Sequence, residues 1–280
     1  MNVCAVLLLL GVSLTENIKV RASSVELFRD HFAGEQLNRE KWNAADRRSA
    51  VNEELEYYSP ANLQVANGSL ALVAKQERRG GANYTSGRVD TKGLFDFTYG
   101  NVEIRAKLPK GKGLWASLWL EHYQCAAAVP CTQWPPAISI LDFRGDQTHT
   151  IPATLYYKDA ADHVQSSGKV LNAADDLSDD FHVYRLQWSP NKLAWSVDGQ
   201  PAFFVIDDPQ KIPAQRLQLV MNVAVGGMFP GSPDDTTEFP AAMLVDYVKV
   251  TREDSSSAGH TIRNSFIFAW ICVFILTKVV

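Results

Sequence analysis

The chain has 280 residues, and its 27 Lys and Arg against 31 Asp and Glu give a formal net charge of −4. No basic cluster of the kind that grips nucleic acid is present, and the length suits one large domain rather than two small ones. Aromatic residues make up 10 % of the chain; their faces pack cores and also stack on sugar rings, and composition does not separate those uses.

In chain order, the opening MNVCAVLLLLGVSL is an apolar run with the length of a signal-peptide core, too short to span a bilayer. Val20-Arg21-Ala22 fits a small-x-small cleavage site, so residues 1–22 are expected to be a signal peptide and residues 23–252 the folded domain. Asn67-Gly68-Ser69 and Asn83-Tyr84-Thr85 are glycosylation sequons that agree with secretion. Val102, Ile104, Ala106 and Leu108 alternate with Glu103, Arg105 and Lys107, which is a strand buried on one face. Cys125 and Cys131 are expected to pair in an oxidising compartment, because Cys-x5-Cys lacks the His cluster a zinc site needs.

Leu186 and Trp188, then Leu193, Trp195 and Val197, continue the period-two pattern, and Asp198-Gly199 makes a tight turn before Phe203-Phe204-Val205. Residues 217–225 and 243–250 read as further strands, while helical periodicity is weak, with Asp208-Pro209-Gln210-Lys211 suggesting a single turn. Many short strands between turn signals predict an all-β sandwich or barrel. Residues 253–280 combine a serine-rich stretch, a polar spacer and the apolar tail SFIFAWICVFILTKVV. They read as a stalk and GPI-anchor signal rather than a span, which needs about 20 apolar residues. The expected location is the outer cell surface, with membrane contact through a lipid anchor.

Six stretches in order resemble the family-16 glycoside hydrolases of the laminarinase type. They are Asn52 to Pro60, Tyr84-Thr85-Ser86-Gly87-Arg88, Phe97 through Trp115, Phe181 to Gly199, Asn222 to Gly227, and Leu244 to Val250. The resemblance implies a concanavalin-like β-sandwich jelly roll with a concave glycan-binding cleft. In that family one strand reads Glu-x-Asp-x-x-Glu, and a bulge brings the third carboxylate onto the face of the first two. Here the three positions are Ala137, Ser139 and Asp142.

Ala137 cannot form a glycosyl-enzyme, Ser139 replaces an orienting Asp, and Asp142 is one methylene shorter than Glu. Tyr156 also stands where the family often reads His. The expectation is therefore a protein that is no enzyme, with no catalytic residues among these degenerate positions. It would bind β-1,3-glucan or a related polysaccharide at the cell surface, similar to the glucan recognition proteins of invertebrate immunity. A signalling co-receptor or protease would be a further partner. The alternative is a residually active β-glucanase or transglycosylase that uses Asp142 with a non-standard partner: Glu121, Asp146 or Glu54. An inverting pair of this kind needs about 6.5–9.5 Å between carboxyls.

By the resemblance, Trp115, Trp119, Trp134 and Phe229 offer aromatic platforms, while Arg88, Asn52 and Asp142 offer polar contacts to sugar hydroxyls. Asp246 matches an Asp that ligates a structural calcium in the family. No other cofactor is expected.

Overall fold

The computed structural model describes residues 24–49, 51–122 and 134–254. The expected signal peptide, the Cys125 and Cys131 pair and nearly all of the stalk and anchor signal lie outside them. Residues Val25–Arg252 form one compact unit. The strands in chain order are β1 (Ser24–Asp30), β2 (Asn43–Ala44), β3 (Arg47–Arg48), β4 (Glu56–Tyr58), β5 (Leu63–Ala66) and β6 (Ser69–Ala74). They continue with β7 (Tyr84–Ser86), β8 (Arg88–Asp90), β9 (Gly100–Lys107), β10 (Leu114–His122), β11 (Ala137–Arg144) and β12 (Thr150–Lys158). The last are β13 (Val164–Asn172), β14 (His182–Ser189), β15 (Lys192–Val197), β16 (Phe204–Ile206), β17 (Leu217–Val225) and β18 (Ala241–Glu253).

An eight-stranded sheet runs β16-β15-β14-β9-β18-β6-β5, with β1 added against β18; a seven-stranded sheet runs β13-β12-β11-β10-β17-β8-β2. The short β3, β4 and β7 form a third sheet, in which β4 and β7 are parallel. The all-β sandwich jelly roll expected from the sequence is thus the observed architecture. The 208–211 stretch is a turn closed by Lys211 N–H to Asp208 C=O.

The core lies between the two large sheets. Strand β9 alternates strictly, burying Val102, Ile104 and Ala106, and β10 answers with Leu114, Ala116, Leu118 and Leu120 in the same cluster. Strand β17, central in its sheet, is buried along all nine residues. By contrast β13 lies at the sheet edge and is exposed along nearly its whole length.

Strand β11 carries the irregularity that matters for function. Its pairing with β10 runs Leu118 to Leu141, then jumps to Trp119 opposite Ser139, so Ile140 is the extra residue of a β-bulge. Ile138, Ile140, Leu141 and Phe143 are all buried in the core, while Ala137, Ser139 and Asp142 reach the opposite face.

The turn after β11 fits only glycine. A Cβ on Gly145 would lie 2.4 Å from the Gly111 carbonyl oxygen and 2.8 Å from the Gly111 nitrogen. Both are backbone atoms of a loop that Gly145 itself holds by paired hydrogen bonds. Gly145→Ala is expected to lower the unfolding free energy by about 1–3 kcal/mol, read as a lower urea midpoint with an unchanged m-value.

Candidate active-site cleft

The second face of β10 is as ordered as its core face. Trp115, Ser117, Trp119 and Glu121 alternate with the core leucines and line a cleft of about 650 Å³. Ala137, Ser139 and Asp142 of β11 lie on one side, with Tyr156 of β12 beyond them; Asn222 of β17 and Arg88 of β8 lie on the other. Asn52, Glu54, Tyr58 and Trp134 join the lining, together with Arg47, Ser49 and Val51.

Asp142 is held by three donors. Its Oδ1 accepts from Trp115 Nε1 at 3.0 Å and Ser117 Oγ at 2.7 Å, and its Oδ2 accepts from Ser139 Oγ at 2.5 Å. Three converging donors on two strands give this carboxyl a fixed position. The same bond orients the Trp115 indole, which packs against Phe229 at 5.2 Å between centroids. Arg144 lies 5.7 Å over the Phe229 ring. At the other end of β11, Trp134 is 51 % exposed and packs 5.3 Å from Tyr156, the cross-strand partner of Ala137. Burial, with a smaller push from the Asp142 charge, raises the Tyr156 phenol above its ordinary pKa, so the ring is a neutral donor. Two aromatic platforms therefore flank the carboxyl-bearing strand, with Trp119 between them.

Glu121 is the cross-strand partner of Ala137. Its carboxylate accepts from Gln218 Nε2 at 2.9 Å and pairs with Arg88 at 3.5 Å. Burial raises its pKa against the lowering influence of Arg88 and Gln218. Arg88 lies 5.2 Å over the Trp119 ring, whose Nε1 donates to Asn222 at 3.1 Å.

The third carboxylate of the lining, Glu54, accepts from Ser49, from Asn52 at 3.1 Å and from Tyr58 OH at 3.5 Å. Beneath it Glu56 is fully buried; one oxygen accepts from Val225 N–H at 2.9 Å and the other has no hydrogen-bond partner. Burial, reinforced by the Glu54 charge and opposed by the Val225 bond, pushes the Glu56 carboxyl up to about 8.

The structure thus brings Trp115, Trp119, Trp134, Arg88, Asn52 and Asp142 to one cavity, with Phe229 at its edge against Trp115. Asp146 lies apart, bonded twice to Arg144 at 3.0 and 2.8 Å. Asp246 gives its carboxylate to Arg105 at 2.7 Å, and no cluster of three or more His, Cys, Asp or Glu suited to a metal occurs among the described residues. Asn67 and Asn83 are exposed. Sequence reasoning missed Ser117, Tyr58 and Asn222. The period-two pattern from Trp115 would have placed Ser117 on the cleft face, whereas Tyr58 and Asn222 lie in family-like stretches that do not by themselves put either side chain in the cleft.

The family profile described as Glycosyl hydrolases family 16 matches residues 52–249. A beta-glucanase of Rhodothermus marinus is 34 % identical over 221 residues, covering 72 % of this chain and 75 % of that protein. The laminarinase catalytic domain of Thermotoga petrophila superposes with a TM-score of 0.72 at 31 % identity, covering 84 % of this chain and 100 % of that one. A beta-1,3-glucan-binding protein of Penaeus monodon is 29 % identical over 201 residues, covering 57 % of this chain and 51 % of that protein.

These relatives correct the expectation that the protein is no enzyme. The Rhodothermus and Thermotoga relatives, matched over most of their length, are named as a beta-glucanase and as the catalytic domain of a laminarinase. The physical reason is that the expectation followed one strand. Ala137 removes one carboxylate from β11, yet Glu54, Glu121 and Asp142 all line the cleft.

The buried acid beneath the cleft sets a pH dependence. The folded chain holds the Glu56 proton up to about 8, against 4.5 for an ordinary glutamate. Between those values the folded state binds more protons than the unfolded state, so this group makes stability fall as pH rises. Glu56→Gln is expected to flatten that part of the curve, measured as urea-unfolding free energies across the window.

Proposed function

The chain belongs to family 16 of the glycosyl hydrolases, and from that premise we propose that it hydrolyses β-1,3-glucan or a closely related β-glucan in the cleft on the outer face of β10 and β11. Asp142 protonates the glycosidic oxygen, and a second cleft carboxylate completes the pair. The observation that carries this reading is Asp142 itself. The bulge at Ile140 turns it onto the cleft face, and three donors fix it between aromatic platforms.

The chemistry follows from what the site holds. Sugar rings present apolar faces, and Trp115 and Trp134 are rigid faces that lose little entropy on binding. Arg88, Asn52 and Asn222 supply polar contacts around them. Breaking the glycosidic bond needs a carboxylic acid at the leaving oxygen and a carboxylate for the attacking group. The names of the glucanases and of the glucan-binding relative support the choice of polymer. The signal-peptide, sequon and anchor patterns support action outside the cell, at the membrane through a lipid anchor.

Purified protein is expected to release reducing ends from laminarin. Asp142→Asn should lower kcat by about 10²–10⁴-fold, the usual range for a general acid. Trp115→Ala should weaken laminarin-oligosaccharide binding by about tenfold, from a lost stacking contact of about 1.5 kcal/mol. Turnover unchanged in Asp142→Asn would remove Asp142 from the mechanism.

A further inference from the structure

We propose that the outer edge of β13 pairs with β13 of a second copy of this chain, giving a two-fold symmetric dimer in which the two seven-stranded sheets run on as one.

Of the four strands that end the two large sheets, β16, β5 and β2 have three, four and two residues, whereas β13 has nine. Short outer strands leave little backbone for another chain to pair with. Strand β13 keeps an unbroken register with β12 over all nine residues and contains no proline. Among the described residues, no strand pairs with its other side. Its outward N–H and C=O groups form a straight row suited to strand addition.

The side chains select the partner. Val164, Ser166, Gly168 and Val170 share one face with the β12 residues opposite them, Lys158, Tyr156, Thr154 and Pro152. Val164 is 52 % exposed and Val170 49 %. A lone exposed valine is ordinary, but these two are placed symmetrically about Ser167. An antiparallel pair of β13 strands centred on Ser167 sets each Val164 opposite Val170 of the second copy. Both apolar side chains are then covered twice over, as a self-complementary contact requires.

The opposite face agrees with the same register. There Gln165 stands opposite Lys169 of the second copy. Gln165 Nε2 donates to the Asp159 carboxylate at 2.9 Å, so the incoming ammonium arrives beside a negative charge. Within its own chain, Lys169 enters no ion pair among the described residues. Lysine in an outer strand commonly hinders pairing. Here it selects a register, because centring the pair on Lys169 would oppose two ammoniums, which is unfavourable.

The two-fold axis of such a pair stands perpendicular to the sheet, so both clefts open on the same side. A polysaccharide long enough to cross β13 can then engage both copies, which strengthens binding without any new contact in either cleft. No residue of β13 lines the cleft, so the dimer forms whether or not the cleft cleaves glucan.

Sedimentation equilibrium of the purified protein over about 1–200 µM is expected to show monomer–dimer exchange with a dissociation constant in about the micromolar range, since one strand pair is a small interface. Amide exchange in residues 164–172 should slow as concentration rises. Two double variants test the register: Val164→Lys with Val170→Lys, and Val164→Glu with Val170→Glu. Both valines are about half exposed, so an unchanged melting midpoint is expected in each. Each variant alone should self-associate at least about tenfold more weakly, because like charges then face one another. An equimolar mixture should regain the dimer, with Lys opposite Glu at both places. A wild type that stays monomeric, amide exchange in 164–172 indifferent to concentration, dimerisation indifferent to the substitutions, or variants that remain monomeric when mixed would each overturn the β13 dimer and leave the glucanase reading standing.

Discussion

A single extra residue in β11 governs what this protein can do. Side chains alternate across a strand, so positions 137, 139 and 142 cannot share a face in a regular ladder. Ile140 breaks the register, letting two consecutive apolar residues, Ile140 and Leu141, enter the core and returning Asp142 to the cleft. Without that bulge the carboxylate would point into the apolar interior, where an unpaired charge is strongly unfavourable. The hydrogen bonds from Trp115, Ser117 and Ser139, the orientation of the Trp115 ring and its packing on Phe229 all depend on that one shift.

Much of the scaffold was legible in the sequence because burial on one face leaves a period-two trace. The 102–108 stretch carries that signal strongly, whereas 217–225, buried on both faces, reads as a nearly continuous apolar run; both are strands. Strand β13 carries none, since both its faces meet solvent and no apolar alternation is required of it. Its place is set by its hairpin pairing with the preceding β12, which an apolar alternation does not record.

The site was legible in its platforms and not in its charge arrangement. Trp115, Trp134 and Arg88 announce themselves by type and motif. The relation of Glu121 to Ala137 exists only once β10 and β11 are laid side by side. Reading β11 alone turned the missing glutamate into a missing activity, whereas a sheet gathers functional groups across strands as readily as along them. Tyr58 and Asn222 were hidden for the same reason, being 164 positions apart in sequence yet joined by a hydrogen bond of 3.2 Å.

The full burial of β17 bears on how such a protein can change its ligand over evolutionary time. Every substitution along that strand disturbs the packed core or the base of the cleft, so exploring new specificities there risks the whole fold. Trp134, half exposed, and Met228, 69 % exposed beside Phe229, carry no such cost. Adaptation to a differently branched or linked polymer therefore has its cheapest route at the margins of the cleft, while its floor is held nearly constant by the demands of stability.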